Sequence, residues 1–407
     1  MYPAVPLMSR RYDVAIVGGG IAGSTLGGQL AEAGLDVVIL EQERTFRDRV
    51  RGEGIHPWGV AEAKRLGILP VLETAGANEL PIWQRYADRA PTESFQWAEH
   101  SIEGLPEMSV SHPRLQEAML RWAQVRGAEV LRPAKAVNLR PGPELAVSLG
   151  GDVRDLCARL VVGADGRRSA VRRWMGGVAV EDPIHHRIGG GLFDNVALQS
   201  QATHEAGFAG GRMFVMPQGA GRARAYYVTS AERLAVTRAD RSAEDFLRAC
   251  AAHLPEGPFA DAIPAGPVAF FPNADLWTDR IATDDTVLVG DAAGANDPSV
   301  GHGLSIAFRD VRELRDLMLA DRDWSAALRA YSDRRLAYYD VLRTHARWLG
   351  VLTTEEGPEA DARRDRVSLA REIDPSAGGF ALIFARGPDD LIADDDARRR
   401  FFGEEAG

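Results

Sequence analysis

The stretch that most restricts the fold lies near the start of the chain. The apolar run Tyr12–Val17 (YDVAIV) passes directly into GGGIAG, where Gly18, Gly20 and Gly23 give the spacing G-x-G-x-x-G. STLGGQLAEAG then reads as a helix closing at Gly34, and DVVIL as a second strand, Asp36–Leu40, ended by Glu41. Strand, glycine turn, helix, strand and acid within about 30 residues predict the opening of a doubly wound parallel sheet that binds a dinucleotide. Gly18 permits the tight turn, Gly20 lets a pyrophosphate approach the backbone, and Gly23 lets the helix pack on the strand. The free N–H groups at Ile21 and Ala22, with the positive end of the helix dipole, face the anion. Glu41 is placed to accept from ribose hydroxyls. A plain α/β unit with a glycine turn is the alternative, and the motif specifies an ADP moiety without choosing the cofactor.

Two later stretches repeat the combination of strand, glycine turn and carboxylate. Ala158–Val162 runs into GADGRRSAVRR, where Asp165 and Ser169 are placed to cap a helix start. A capped turn with no further role explains that stretch equally well. Thr286–Val289 runs into GDAAGANDPSVGHGLS, Gly290–Ser305. Asp291 falls just past a strand end, where open α/β sheets bind ligands. Pro298 fixes the chain direction, and Gly301 and Gly303 leave room for a flat ring against the backbone. A helix is expected from about Leu304 to Leu319, with Ile306, Phe308, Val311 and Leu314 among its apolar positions. Its N-terminus favours a ring that becomes anionic on reduction.

These motifs, in this order over about residues 10–350, resemble the FAD-dependent monooxygenases of the aromatic hydroxylase type, which have a glutathione-reductase-like FAD fold. The resemblance implies that Gly18, Gly20, Ile21, Ala22, Gly23 and Glu41 hold the ADP half of FAD. It implies a cofactor role for Asp165 in the DG motif, and for Gly290 and Asp291 at the ribitol or ribose. It sets Pro298, Gly301, His302, Gly303 and Leu304 beside the isoalloxazine. A helix arginine of the family that reaches the flavin linker maps onto Arg114 in HPRLQEAMLRW, with a solvated helix-start arginine as the alternative. In ERTFRDRVRGEGIHPWG, Arg51 is the best match for a flavin or pyridine-nucleotide contact. The implied reaction uses NAD(P)H and O2, and a flavin hydroperoxide hydroxylates or epoxidises a small aromatic or polyketide-like molecule.

The chain departs from the family at Gly294, where His often follows GDAA, and at Ser305, where Asn is frequent. Both changes are expected to alter the pocket beside the flavin. Prenyl-chain reductases share the GDAAG form and the Pro-x-x-Gly-x-Gly loop, which keeps an FAD-dependent reductase or dehydrogenase as an alternative. A flavin-dependent halogenase is a further one, although its W-x-W-x-I-P signature is missing and Lys64 in VAEAKRLGI reads as a surface lysine.

The expected architecture is α/β: a discontinuous Rossmann-like FAD-binding domain over 1–75, 105–180 and 284–349, an inserted mixed β-sheet substrate domain over 76–104 and 181–283, and a helical C-terminal extension over 350–407. RIGGGLFDNVAL, GRMFVMPQ and ARAYYVTS carry the strand signal of the insert. Trp83, Tyr86, Phe95 and Trp97 read as core more readily than as a substrate cage. One long helix is expected over about Trp324–Leu349, and Pro375 breaks the polar tail that follows. A length of 407 residues supplies a core without staples, and two cysteines, Cys157 and Cys250, make neither a zinc site nor a disulfide framework. A net charge of −10 without a basic block argues against a nucleic-acid groove. The opening MYPAVPLMSRRYD lacks the apolar core of a signal peptide, and no apolar run is long enough to span a membrane, so a cytoplasmic monomer or homodimer is expected. For acid–base work near the ring the candidates are His302, Asp297 and His56. Their alternatives are a solvent-facing histidine, a turn cap and a pocket-remote histidine. No metal site is expected.

Overall fold

The computed structural model describes residues 11–321, 323–373 and 378–404. The opening residues 1–10 and the tail-breaking Pro375 lie outside the described residues.

The first motif forms as its pattern demands. Strand Arg11–Val17 leads into helix Ile21–Glu32 and strand Val37–Leu40, and the two strands pair in parallel, Val14 opposite Val37. They sit inside a seven-stranded sheet whose order runs Glu129–Leu131, Val37–Leu40, Arg11–Val17, Asp152–Gly163, Glu144–Leu149, Lys135–Arg140, with Thr286–Leu288 also paired to Asp152–Gly163. The central strands Arg11–Val17 and Val37–Leu40 are apolar and buried on both faces. All three glycine motifs leave this sheet at neighbouring strand ends, after Val17, Gly163 and Leu288. The antiparallel pair Lys135–Arg140 and Glu144–Leu149 widens the sheet at one edge.

A second, eight-stranded sheet is assembled from two separate lengths of chain. Ile82–Ala87 and Ala90–Gln96 form a hairpin that joins Ala202–Phe208 in parallel, and Gly211–Pro217, Ala223–Thr229 and Arg187–Asp194 continue it antiparallel. The segment 181–283, read as strands alone, also holds two helices, Ala231–Thr237 and Ala243–Ala251. Ser230 and Ser242 cap them, and Phe246 and Cys250 pack under the sheet with Phe193 and Tyr227.

Helix Gly303–Ala320 packs against helices Ile21–Glu32 and Pro57–Arg65, and helix Trp324–Thr354 runs 31 residues beside it. Helices Pro358–Ile373, Phe380–Ala385 and Asp395–Phe401 follow. This tail is part of the body: Ile383, Phe384 and Phe401 share one buried cluster with Trp58, Trp83, Trp97 and Leu342. No described helix is long and apolar enough to cross a membrane.

Candidate functional site

The glycine turn of the first motif is shaped by what a side chain would strike. A Cβ on Gly18, whose φ is +109°, would stand 2.3 Å from the carbonyl oxygen of Ala164. A Cβ on Gly23 would stand 2.0 Å from that of Gly18. At Gly20 the nearest neighbour of such an atom is the Gln116 amide at 3.9 Å, so the space over this residue is open. The backbone is therefore bare where a pyrophosphate has to approach and closed on its other side. The Glu41 carboxylate, buried at the end of the second strand, accepts from Gly19 N at 2.9 Å and from Glu43 N at 2.7 Å. Its remaining lone pairs suit ribose hydroxyls. These residues fit the ADP half of FAD.

The other two motifs close on the first. Asp165 Oδ2 accepts from Ala170 N at 2.6 Å, and Ser169 caps through Arg172 N at 2.9 Å. The Arg172 guanidinium, buried beneath, donates to Ala292 O at 2.8 Å and so ties the second motif to the third. Gly290, at φ +59°, packs against Ala22 and donates its N–H to Asp310 Oδ2 at 2.7 Å. Asp310 in turn faces the buried Arg335 guanidinium at 2.8 Å and accepts from the Tyr338 hydroxyl. This network fixes the turn that presents Asp291, whose carboxylate lies half-exposed 3.8 Å from Arg51 Nη1.

Helical phase sets the linker-arginine candidate on a different face from His112 and Gln116. Arg114 is exposed, and its guanidinium reaches toward Gly76. His112 and Gln116, four residues apart and therefore on one face, are the side chains of helix His112–Val125 that look into the site. His112 stands among Arg51, Glu53 and Asp291, and Gln116 lies over Gly20.

The ring side also departs from expectation. Gly303 faces open space, and Gly301, at φ +73°, lies against His56. Leu304 is buried behind them. His302 is turned neither to the ring nor to solvent. It is fully buried against His56, Trp58 and Phe384, and burial, aided by His56 and His345, holds its imidazole well below the ordinary value. Neither of its ring nitrogens has a hydrogen-bond partner among the described residues. Asp297 is withdrawn too. Its carboxylate faces His186 Nε2 at 3.2 Å and accepts from Ser299 N at 2.8 Å and Asn273 Nδ2 at 3.2 Å. Burial pushes this carboxyl up, but the charge and hydrogen bond of His186 outweigh that and leave it below the usual range. Asp297 clamps the loop. The two family departures also lie behind the loop: Gly294 packs under Leu276 O, and Ser305 packs against Gly59.

The third candidate does reach a pocket. His56, at the start of helix Pro57–Arg65, lines a cleft between the Pro298–Gly301 loop and the second sheet, with Trp83, Phe214, Met216 and Tyr226 on the sheet side. Its Nδ1 is 2.8 Å from Glu107 Oε1, and its Nε2 is 2.8 Å from Val300 O. Glu107 is fully buried and also accepts from Thr203 Oγ1 at 2.6 Å. Glu53, below the same cleft, accepts from the buried Arg224 Nε at 2.8 Å and from His112 N at 2.9 Å. Arg212 donates to Ser299 O at 2.6 Å and to Glu205 at 3.1 Å, tying the sheet to the loop. Glu107, Thr203 and Arg212 come from remote strands and carry no local signature. Lys64 pairs with Glu103 at 2.6 Å on the surface, as a surface lysine should. No cluster of potential metal ligands occurs among the described residues.

Comparison with known proteins agrees with this geometry. The family model described as FAD binding domain matches residues 11–344. Rifampicin monooxygenase from Streptomyces venezuelae is 28% identical over 362 residues, covering 86% of this chain and 74% of that protein. Digeranylgeranylglycerophospholipid reductase 2 from Methanopyrus kandleri is 30% identical over 362 residues, 79% of this chain and 82% of that protein. The crystal structure of PqsL, a probable FAD-dependent monooxygenase from Pseudomonas aeruginosa, shares the fold with a TM-score of 0.73 at 22% identity, covering 85% of this chain and 97% of that one. The chain belongs to the FAD binding domain family and is an FAD-dependent oxidoreductase related to the aromatic-hydroxylase monooxygenases.

Proposed function

We propose that the chain is an NAD(P)H- and O2-dependent monooxygenase acting on a flat, hydroxylated aromatic or polyketide-like molecule bound in the cleft beside Pro298–Gly301. The observation that carries this reading is the cleft itself, which sets aromatic walls and one histidine against the Pro298–Gly301 loop, the segment that the family resemblance puts beside the flavin ring. Bound FAD supplies the redox chemistry, taking reducing equivalents from NAD(P)H and activating O2.

The protein residues supply position and proton handling. Trp83, Phe214 and Tyr226 line the cleft with aromatic rings, a wall suited to a planar substrate. His56 has an acceptor at each ring nitrogen, and a neutral imidazole has one N–H to give. With Nδ1–H on Glu107, the Nε2 lone pair is left facing the Val300 carbonyl. A phenolic O–H entering the cleft removes that conflict by donating to Nε2. Moving this proton onto His56 raises electron density on the substrate ring, and Glu107 stabilises the imidazolium formed. Arg212 holds Ser299, and with it the loop, against the sheet. Asp291 and Arg51 would hold the ribityl linker, and the first N–H groups of helix Gly303–Ala320 would stabilise negative charge on the ring.

The reductase relative supports a second reading, in which the same cleft takes an isoprenoid chain and a double bond is reduced. Oxygen uptake separates the two. The FAD-loaded protein with NADPH or NADH is expected to consume O2 faster when a naphthol is added, and to place one atom of isotopically heavy O2 in the product. Nicotinamide oxidation that leaves the organic product free of label would sink the monooxygenase reading.

A further inference from the structure

The family match ends at residue 344, yet the cleft has a wall from beyond it. Phe384, on the short helix Phe380–Ala385, is 1% exposed and lines the cleft. Its ring centroid lies 4.6 Å from that of His56, 5.8 Å from that of Trp83 at an interplanar angle of 14°, and 5.8 Å from that of His302. It therefore covers the face of Trp83 that a planar substrate would use, and it touches the residue read above as the proton acceptor.

We propose that Phe384 is the specificity-determining residue of the cleft, setting the upper size of the aromatic system that the enzyme accepts. The inference rests on reading the cleft as the substrate site. The other aromatic walls belong to sheet strands: Trp83, Phe214 and Tyr226 each sit on a strand hydrogen-bonded to its neighbours, so their positions are fixed by the sheet. Phe384 instead sits on a short helix of the tail, packed in the shared buried cluster and tied down by side-chain links that follow it in the chain. Asp389 receives both Arg309 amino groups at 2.7 Å, and His345 Nε2 pairs with Ile392 O at 2.9 Å. Arg309 lies on helix Gly303–Ala320, which follows the Pro298–Gly301 loop directly, so the tail that lines the cleft is latched to the helix behind that loop. Removing the Phe384 ring leaves a space bordered by His56, Trp83 and His302 and continuous with the cleft. A fused-ring substrate gains a stacking face there, and a small one loses a contact.

The test uses the full FAD-loaded chain and two probes, naphthol and hydroxypyrene, each titrated while the absorbance of the bound flavin is followed. Phe384→Ala is expected to shift the ratio of the two dissociation constants toward hydroxypyrene by about tenfold or more, since a hydrophobic pocket discriminates by about that factor per group added or removed. Asp389→Ala loosens the latch at an exposed residue, leaves the core intact, and is expected to shift the ratio the same way by a smaller factor; it decides the matter if Phe384→Ala does not fold. An unchanged ratio, with both probes still perturbing the flavin, overturns the role given to Phe384. Failure of both probes to perturb the flavin in all three proteins overturns the reading of the cleft, and this proposal with it.

Discussion

The two ends of the cofactor site are built differently. The end that fits the ADP half is made of backbone: consecutive glycines, a helix start and one carboxylate, all between residues 18 and 41. The end that fits the ring is made of side chains gathered from residues 52–56, 83, 107, 203, 212, 298–303 and 384. A backbone site tolerates almost no added atom but needs few partners. A side-chain site tolerates local change but depends on segments far apart in the chain. Substitutions in the first should therefore act together on fold and cofactor, whereas those in the second should separate binding from turnover.

The largest effect is expected at His56. His56→Ala should lower naphthol-dependent oxygen uptake by about 100- to 10,000-fold, the usual range for a lost general base, while FAD content stays at the wild-type level. Loss of flavin in this variant would erase the distinction between the two ends. Next comes the glycine turn, where two residues three apart should behave in opposite ways. Gly23→Ala puts a Cβ 2.0 Å from Gly18 O, and a loss of roughly 1–3 kcal/mol or more is expected in denaturant titration, with FAD lost too. Gly20→Ala meets only open space, so the apo protein should melt as the wild type does while FAD binding weakens by about tenfold, or 1.4 kcal/mol.

A smaller, pH-dependent effect belongs to the clamp behind the ring loop. Asp275 accepts from Asn296 Nδ2 and Asp297 N, both at 3.0 Å. Burial, with the charge of Asp297, pushes its carboxyl up from 3.8 to about 7. The unfolded chain ionises this group near 3.8 while the folded chain keeps it protonated. Its contribution to stability is full below the unfolded value and drains away as the pH rises through about 7. About 1.4 kcal/mol per pH unit is the ceiling on that slope. Asp275→Asn keeps the acceptor and removes the titration, so the decline in melting temperature between about pH 5 and 8 should flatten. An identical slope in both proteins would remove Asp275 from the clamp. The smallest effect is expected at Arg114. Arg114→Ala should change stability by less than about 0.5 kcal/mol and leave FAD retention unaltered, whereas Gln116→Ala, on the face toward Gly20, should lower it.

The same contrast decides what the sequence makes legible. The turn through Gly18, Gly20 and Gly23 to Glu41 is readable because its spacing encodes one backbone path, which the strand, turn, helix and strand follow. Gly301 and Gly303 are readable for the same reason. His302 lies between them in sequence, but its side chain is buried against His56, Trp58 and Phe384. Asp297 precedes the loop proline and is consumed in holding the loop. Arg114 lies two residues, roughly 200° of helix, from the face it was assigned to. Glu107, Thr203, Arg212 and Phe384 have no motif, because nothing in the chain near them announces which strand or helix they will meet. His56 was within reach only because it follows the arginine loop closely.

The central claim is that the chain recognises FAD through its ADP half at residues 18–41. Gel filtration of the purified protein after incubation with FAD or with FMN tests this directly. The account predicts about one FAD per chain carried through the column, with a two-banded flavin spectrum, and no FMN retained, because FMN lacks the half that the glycine turn and Glu41 are built to hold. Retention of FMN as complete as that of FAD, or a protein that stays colourless with both, would contradict it.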